Sequence, residues 1–184
     1  MTTQAPARDR VLQAYEDLLI QDGPRAATLD AVAATAGVSK GGLLYHFKSK
    51  EALTAGLLEK LRAMADIDLD LMAKDPAGSA SYYVRTSVFG DTTFDRALVA
   101  AMRLAQGEDT VVRAAFSEIH ARWYQLILAD IGNAAAARAV MLLGDGLYFN
   151  AALFGLPSHP WNDAVTADPV DVASLLEVVE KMRS

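Results

Sequence analysis

The sequence predicts an all-α protein of about nine helices. Apolar residues recur at intervals of three and four along most of the chain, and no segment alternates strictly between apolar and polar residues. Alanine and leucine, two strong helix formers, are abundant. The 184 residues, 52% hydrophobic and 22% charged, have an ordinary globular composition and suffice for one domain or two small ones.

Glycine, proline and capping residues delimit the helices of the first half. The first helix ends at Gly23-Pro24, and Thr28, Ser39 and Ser49 are suitable N-caps for the three helices that follow. Asp75-Pro76 closes the fourth helix. The predicted helices run over about Arg8–Gln21, from Thr28 through Ala36, over Lys40–Phe47, and from Ser49 to about Ala73.

Two segments of the second half are predicted loops. Pro76–Ser81 is rich in proline, glycine, serine and alanine, and Gly155–Pro169 carries three prolines. The segments between and after them have helical periodicity. The predicted helices are Tyr82–Phe89, Thr93–Ala105, Asp109–Ile131, Ala134–Phe154 and Val170–Met182.

The composition excludes several functional classes. The chain has no cysteine, which excludes disulfide scaffolds, Cys-ligated zinc and thiol catalysis. The N-terminus lacks the apolar region of a secretory signal, and no run approaches about 20 apolar residues, so we expect neither export nor a membrane span. A cytoplasmic location and no cofactor are therefore expected.

The segment from Thr28 to Leu53, TLDAVAATAGVSKGGLLYHFKSKEAL, predicts a helix-turn-helix. Two short helices are joined by a three-residue turn in which Gly37 is free to take a positive φ. Gly41 and Gly42 lie at the start of the second helix, where each is unfavourable by about 1 kcal/mol relative to alanine. Their missing side chains would let the helix N-terminus approach phosphate or base edges in the major groove. The small hydrophobic core of this unit is expected to contain Val32, Ala33, Ala36, Val38, Leu43 and Phe47.

A local basic patch coincides with this segment. The net charge of −6, taken for the whole chain, argues against nucleic-acid binding. However, residues 1–60 hold seven basic and seven acidic residues, so the excess acid lies in the remainder. No acidic residue occurs between Asp30 and Glu51, whereas three lysines and a histidine lie within Lys40–Lys50. Such a patch alone is usually a solvated face, but its place in a helix-turn-helix favours DNA contact.

The same stretch resembles the tetracycline-repressor (TetR) family of transcription regulators. The resemblance is carried by Ala33, Ala36-Gly37-Val38-Ser39, Leu44-Tyr45-His46-Phe47 and Ser49-Lys50-Glu51-Ala52-Leu53. Family members commonly read G-V-S-x-x-x-L-Y-x-H-F-x-x-K-E-x-L, whereas here the histidine follows the tyrosine directly. The match is specific over about residues 8–55, and beyond them it rests on helix number and chain length.

The resemblance implies a three-helix DNA-binding domain over residues 1–54 and a larger helical ligand-binding and dimerisation domain over residues 55–184. Lys48 and Lys50 are then expected to contact phosphate, and Tyr45 and His46 to bind phosphate or line the groove. Base-edge contacts are expected near the start of the second helix of the motif. The candidate DNA contacts are Thr28, Ser39, Lys40, Gly41, Gly42, Leu44, Tyr45, His46, Lys48 and Lys50.

The resemblance also implies a homodimer formed by the last two long helices, bound to an inverted-repeat operator in double-stranded DNA. The segment Ala134–Phe154 is apolar on several faces and contains small residues that permit close helix approach, although a central core helix is the alternative. A small, mostly apolar effector is a further implication, while its aromatic candidates could equally be core residues. The candidate pocket residues are Phe89, Met102, Arg103, Phe116, His120, Trp123, Tyr124, Asp145, Tyr148 and Phe149.

Enzymatic and metal-binding motifs are missing from the sequence. Asp66, Asp68 and Asp70 are spaced as in a calcium loop, but Leu71 and Ala77 replace the required glycine and glutamate. The three histidines are scattered, and no phosphate loop or nucleophile elbow occurs. Two hypotheses remain: a ligand-responsive repressor, or a helical small-molecule- or partner-binding protein that has lost its DNA-reading function.

Overall fold

The computed structural model describes residues 5–107, 109–154 and 172–183, and for 151–154 the backbone alone. All regular structure in these ranges is helical, which confirms the predicted all-α class. Among these residues, no helix has the length and apolar content that crossing a membrane requires. The helices, numbered α1 to α9, span Ala7–Gln21, Leu29–Thr35, Lys40–His46, Lys50–Lys74, Ser79–Thr86, Thr93–Ala105, Thr110–Ile131, Ala134–Phe154 and Val172–Arg183.

The helices form two compact units. The first comprises Met1–Met64 and Asp91–Phe116, and the second comprises Ala65–Gly90 and Ser117–Ser184. In the first unit α1 packs against α2, α3 and α6, and in the second α5 packs against α8 and α9. The functional division at residue 54, which concerns DNA and ligand, stays a prediction.

The starts of α2, α3 and α4 are fixed by the predicted caps. The Oγ1 atom of Thr28 accepts a hydrogen bond from the amide of Ala31 at 3.2 Å, which caps α2. Ser39 caps α3 through the amide of Gly42 at 3.0 Å. The Oγ atom of Ser49 accepts from the amide of Ala52 at 3.2 Å at the start of α4. These local signals confirm the first four helices to within one residue.

Helix α5 differs from its predicted bounds of Tyr82–Phe89. It begins at Ser79, because the carboxylate of Asp130 on α7 accepts a hydrogen bond from the amide of Ala80 at 2.8 Å. Arg183 on α9 holds that carboxylate at 2.7 Å. The prediction of a loop over Pro76–Ser81 is therefore wrong in its last three residues, since a carboxylate that is distant in sequence stabilises the first turn.

The later helices follow their predicted bounds closely. Helices α6 and α8 have the predicted bounds, and Asp109 accepts hydrogen bonds from the amides of Val111 and Val112 at the start of α7. A capping box between Thr92 and Asp95 starts α6. The last helix begins at Val172. The predicted loop Gly155–Pro169 lies outside the described residues.

Candidate nucleic-acid interface

The helix-turn-helix has a small apolar core and a tight turn. Val32 on α2 and Leu43 on α3 are fully buried, and Phe47, just after α3, is 4% exposed. Gly37 has a φ of +63°, which lets the chain reverse without the strain that a Cβ would cause. The amide of Val38 then donates to the carbonyl of Ala33 at 3.0 Å. This packing confirms the predicted motif and fixes the direction of α3 relative to α2.

The two capping hydroxyls are exposed at the helix starts. The oxygens of Thr28 and Ser39 accept from backbone amides, so each hydroxyl keeps its proton available as a donor. Both side chains lie at the surface. They can therefore hold their helices and donate to a phosphate oxygen at the same time.

Gly41 is not required by the interior of the protein. A Cβ at Gly41 would meet nothing closer than the Oγ atom of Ser39 at 4.0 Å, and its φ is not positive. A Cβ at Gly42 would approach that same capping oxygen to 3.2 Å, which is a tight contact. Glycine weakens a helix, and nothing inside the protein requires it at the exposed position 41. Its presence there is consistent with the close approach of another molecule to the backbone of α3.

The exposed face of α3 carries aromatic side chains. Tyr45 is 83% exposed, the largest exposed fraction among the large hydrophobic side chains of the described residues. Its ring meets that of His46 edge to face at 5.1 Å. Leu44 is half-buried, so it is a poorer candidate for a base contact than Tyr45.

The three lysines of the basic patch have different surroundings. The Nζ atom of Lys40 lies 2.9 Å from a carboxylate oxygen of Asp30, but both side chains are largely exposed. Exposed pairs contribute about 0–1 kcal/mol, so a phosphate could replace Asp30. Lys50 is half-buried and donates to the carbonyl oxygen of Pro24 at 2.5 Å. Lys48 is exposed and has no hydrogen bond or ion pair within the described part of the chain.

Comparison with known families covers both halves of the chain. Residues 11–57 match the family model described as bacterial regulatory proteins, tetR family. Residues 78–167 match a second model, described as tetracyclin repressor-like, C-terminal domain. The chain belongs to the TetR family of bacterial regulatory proteins.

Individual relatives agree with this assignment. The uncharacterized HTH-type transcriptional regulator YerO of Bacillus subtilis is 34% identical over 74 residues, which cover 38% of this chain and 26% of YerO. The chain thus matches about a quarter of that relative's length. A putative TetR-family regulator from Rhodococcus sp. has a TM-score of 0.69 at 20% identity, covering 98% of this chain and 100% of that one. The multidrug binding protein EbrR, solved with malachite green, has a TM-score of 0.66 at 20% identity, covering 95% and 96%.

The predicted pocket residues of this TetR-family chain fall in both units. Met102, Arg103 and Phe116 belong to the first unit. In the second, His120 and Trp123 of α7 contact each other, and His120 lies 3.9 Å from Asp145 of α8. Among the other members, Phe89 meets Tyr148 at 6.3 Å, Tyr124 lies under the guanidinium of Arg138 at 4.3 Å, and Phe149 is 47% exposed.

Asp68 and Tyr83 are hydrogen-bonded to two of the predicted pocket residues, Trp123 and Asp145. Neither Asp68 nor Tyr83 is among the pocket residues that the sequence predicts. Asp68 accepts hydrogen bonds from Trp123 at 2.8 Å and from Tyr82 at 2.9 Å. Tyr83 donates to Asp145 at 2.6 Å. The signal for Asp68 is that the residues three and four positions away on either side, Met64, Ala65, Leu71 and Met72, are all apolar, which places its carboxylate on an apolar face of α4.

A shallow groove of about 410 Å³ lies elsewhere on the second unit of this TetR-family chain. None of the predicted pocket residues lines it, and Asp66 and Arg122 form a 2.6 Å ion pair on its wall. No group of three or more potential metal ligands occurs within the residues that the structure describes. The groove is lined by Asp66, Leu69, Asp70, Arg122, Gln125 and Leu126.

Substituting alanine for Gly41 is expected to stabilise the fold while weakening DNA binding. Alanine favours the helix by up to about 1 kcal/mol, and the structure leaves room for its methyl group. The same methyl group would stand between α3 and DNA. Thermal unfolding and DNA affinity of Gly41→Ala measure the two effects. A gain in stability with unchanged affinity would contradict a close approach at position 41.

Separate alanine substitutions at Lys48 and Lys50 are expected to differ. Lys48→Ala should leave stability unchanged and flatten the dependence of log affinity on log salt by about 0.9 for each phosphate that the variant no longer neutralises. Lys50→Ala should also lower the free energy of unfolding by about 1 kcal/mol, because it removes the bond to Pro24. Salt-dependent DNA titrations and urea unfolding measure both. Equal losses of stability in the two variants would contradict this distinction.

Proposed function

We propose that the chain is a sequence-specific transcriptional regulator, a repressor that binds an inverted-repeat operator as a homodimer and leaves it when a small molecule binds. The observation that carries the proposal is the exposed face of α3. There a glycine that the interior does not require lies one helical turn from Tyr45, which is 83% exposed. Residues 1–54 would bind DNA, and residues 55–184 would bind the effector and the second copy.

The DNA complex would place the start of α3 in the major groove. Thr28, Ser39 and Lys48 would contact phosphate and fix the register, while Lys40, Gly41, Gly42 and Tyr45 would face base edges. Leu44 and His46 would line the groove, and Lys50 would reach phosphate from the start of α4. Two-fold symmetry would set half-sites about 34–36 Å apart, or at a larger spacing.

The homodimer would form through α8 and α9. Leu142 and Phe149 lie seven residues apart on α8 and are 63% and 47% exposed, so both occupy one solvent-facing side of the helix. Val178 on α9 is 40% exposed. Packing two copies of these helices into a four-helix interface would remove this apolar surface from water.

Helix α4 would transmit the effector's presence. It runs without interruption from Lys50 to Lys74. Three residues in the first half of α4 form hydrogen bonds with preceding segments. Lys50 donates to the carbonyl of Pro24, the hydroxyls of Thr54 and Tyr15 lie 2.9 Å apart, and Lys60 donates to the carboxylate of Glu16 at 2.7 Å. A shift of α4 would therefore move α1 and the segment before α2, which changes the separation of the two recognition helices. The effector must bind the released state more tightly than the DNA-bound state.

Titration of labelled duplex DNA at several salt concentrations tests the DNA-binding part. We expect steep salt dependence, because phosphate contacts release counterions. Absent or salt-insensitive binding by the folded protein would contradict the proposal and favour the alternative of a helical binding protein that has lost DNA reading. A cytoplasmic location follows from the proposal, which includes no catalytic role.

A further inference from the structure

Within the second unit, parts of helices α4, α5, α7 and α8 bring two carboxylates and several aromatic rings together. Asp68 of α4 accepts hydrogen bonds from Trp123 of α7 and from Tyr82 of α5. Asp145 of α8 accepts from Tyr83, whose ring lies 5.7 Å from that of Trp123. We refer to these residues as the carboxylate–aromatic cluster: Asp68, Tyr82, Tyr83, His120, Trp123 and Asp145.

The Asp68 carboxylate has neutral partners. Both of its hydrogen-bond donors are uncharged, and no lysine or arginine of the described residues lies within 4.0 Å of it. Burial raises the pKa of Asp68 above its ordinary value, and the bonds from Trp123 and Tyr82 oppose that rise. Its neighbours Asp66 and Asp70 are paired with Arg122 and Lys74. Among Asp66, Asp68 and Asp70, the half-buried Asp68 is thus the one that has no cationic partner within the described residues.

Asp145 adds a second negative charge to the same cluster. Its hydrogen bond comes from the neutral hydroxyl of Tyr83, and among the described residues the nearest basic atom is the Nδ1 atom of His120 at 3.9 Å. Burial raises the pKa of Tyr83, and the negative charges of Asp145 and Asp68 raise it further. Both carboxylates therefore act on one tyrosine hydroxyl. Arg85 lies over the ring of Tyr82 at 5.7 Å, but its charge is paired with Asp75, so the described residues of the cluster have an excess of negative charge.

The cluster can be reached from outside. The side chains of Asp145 and His120 are 35% and 40% exposed, whereas Tyr83 and Trp123 are 7% and 5% exposed. The rings of His120 and Trp123 lie 5.5 Å apart. A partly exposed carboxylate next to aromatic rings is a combination that attracts an organic cation.

We infer that the carboxylate–aromatic cluster binds an effector that carries a positive charge on an aromatic or alkyl group, with Asp145 as its direct ionic partner. Asp68 adds attraction from within, and the rings of His120 and Trp123 contact the apolar part. This inference rests on the proposed ligand-responsive function and names the chemical class of its effector. It replaces the expectation of a mostly apolar effector with that of a lipophilic cation.

Two probes of equal shape test the charge requirement. Benzyltrimethylammonium is a cation, and neopentylbenzene is its neutral isostere. The chain has two tryptophans, so a Trp161→Phe background leaves Trp123 as the fluorescent reporter. Binding is measured in that background and in its Asp145→Asn variant, in which the amide oxygen can still accept from Tyr83. Asp70→Asn is the matched control, because it removes an exposed carboxylate of α4 outside the cluster.

We expect saturable binding of the cation about tenfold or more tighter than binding of the isostere. Asp145→Asn should weaken cation binding by about tenfold or more, and Asp70→Asn should leave it unchanged. Equal affinity for the two probes, an unaffected Asp145→Asn variant, or no saturable response to the cation would overturn the inference. DNA binding is measured on the same preparations. A protein that binds DNA but not the cation would contradict this inference and leave the proposed DNA-binding function standing.

Discussion

Replacing Lys60 with methionine is expected to lower the free energy of unfolding by about 3 kcal/mol at pH 7. Glu16 on α1 is fully buried, and its two carboxylate oxygens lie 2.7 and 2.9 Å from the ammonium of Lys60 on α4. Methionine preserves most of the side-chain volume but leaves the carboxylate without its direct ionic partner; Arg96, which also lowers the pKa of Glu16, forms its own hydrogen bond with Asp17. Urea unfolding of the wild type and Lys60→Met measures the difference.

The loss should grow as the pH rises. Burial raises the pKa of Glu16 from its ordinary value of 4.5, and Lys60 opposes this rise. A raised folded-state pKa means that the group's contribution to stability is full below about pH 4.5 and is lost as the pH rises through the folded-state pKa. Without Lys60 that pKa is higher still, so the deficit should be small at pH 4.5 and largest near pH 7. Adding Glu16→Gln should restore much of the stability at pH 7, and a deficit equal at both pH values would contradict this account.

Substitution of glutamate for Leu142 is expected to separate the dimer and weaken operator binding by about 100-fold or more. Leu142 is 63% exposed on α8, and the proposed interface would bury it. A charge there would lose its hydration, and a monomer can engage one half-site at a time. Sedimentation and DNA titration of Leu142→Glu measure the two effects.

Val111→Glu is the matched control for this substitution. Val111 is also 63% exposed, but it lies on α7, outside the proposed interface. The control should remain dimeric and bind DNA as the wild type does. A dimeric Leu142→Glu variant, or equal effects of the two substitutions, would contradict an interface formed by α8.

The elements that local sequence determines could be predicted from the sequence. Thr28, Ser39 and Ser49 cap helices through atoms three residues away, so composition and spacing sufficed to place α2, α3 and α4. Local sequence does not predict the start of α5, because that start depends on Asp130, which is 50 residues from Ala80. No local pattern encodes such a cap.

The candidate sites divide in the same way. The order of residues along α3 fixed which side chains could face DNA, since a helix has a regular period. The contacts of Lys40 with Asp30 and of Lys50 with Pro24 could not be predicted from the sequence, because they depend on how α3 and α4 pack against the segments before them. Asp68 lies on α4 and Asp145 on α8. The sequence could not predict their shared cluster, because it depends on how these separate helices pack.

Selection of binding sites from a random pool of duplex DNA tests the central claim most directly. The wild-type protein would be compared with a Lys48→Ala/Lys50→Ala double variant, with folding and oligomeric state checked for both. We expect the wild type to enrich an inverted repeat and the double variant to lose or weaken that enrichment. No enriched sequence from a folded wild-type dimer would contradict the claim that the exposed face of α3 reads DNA.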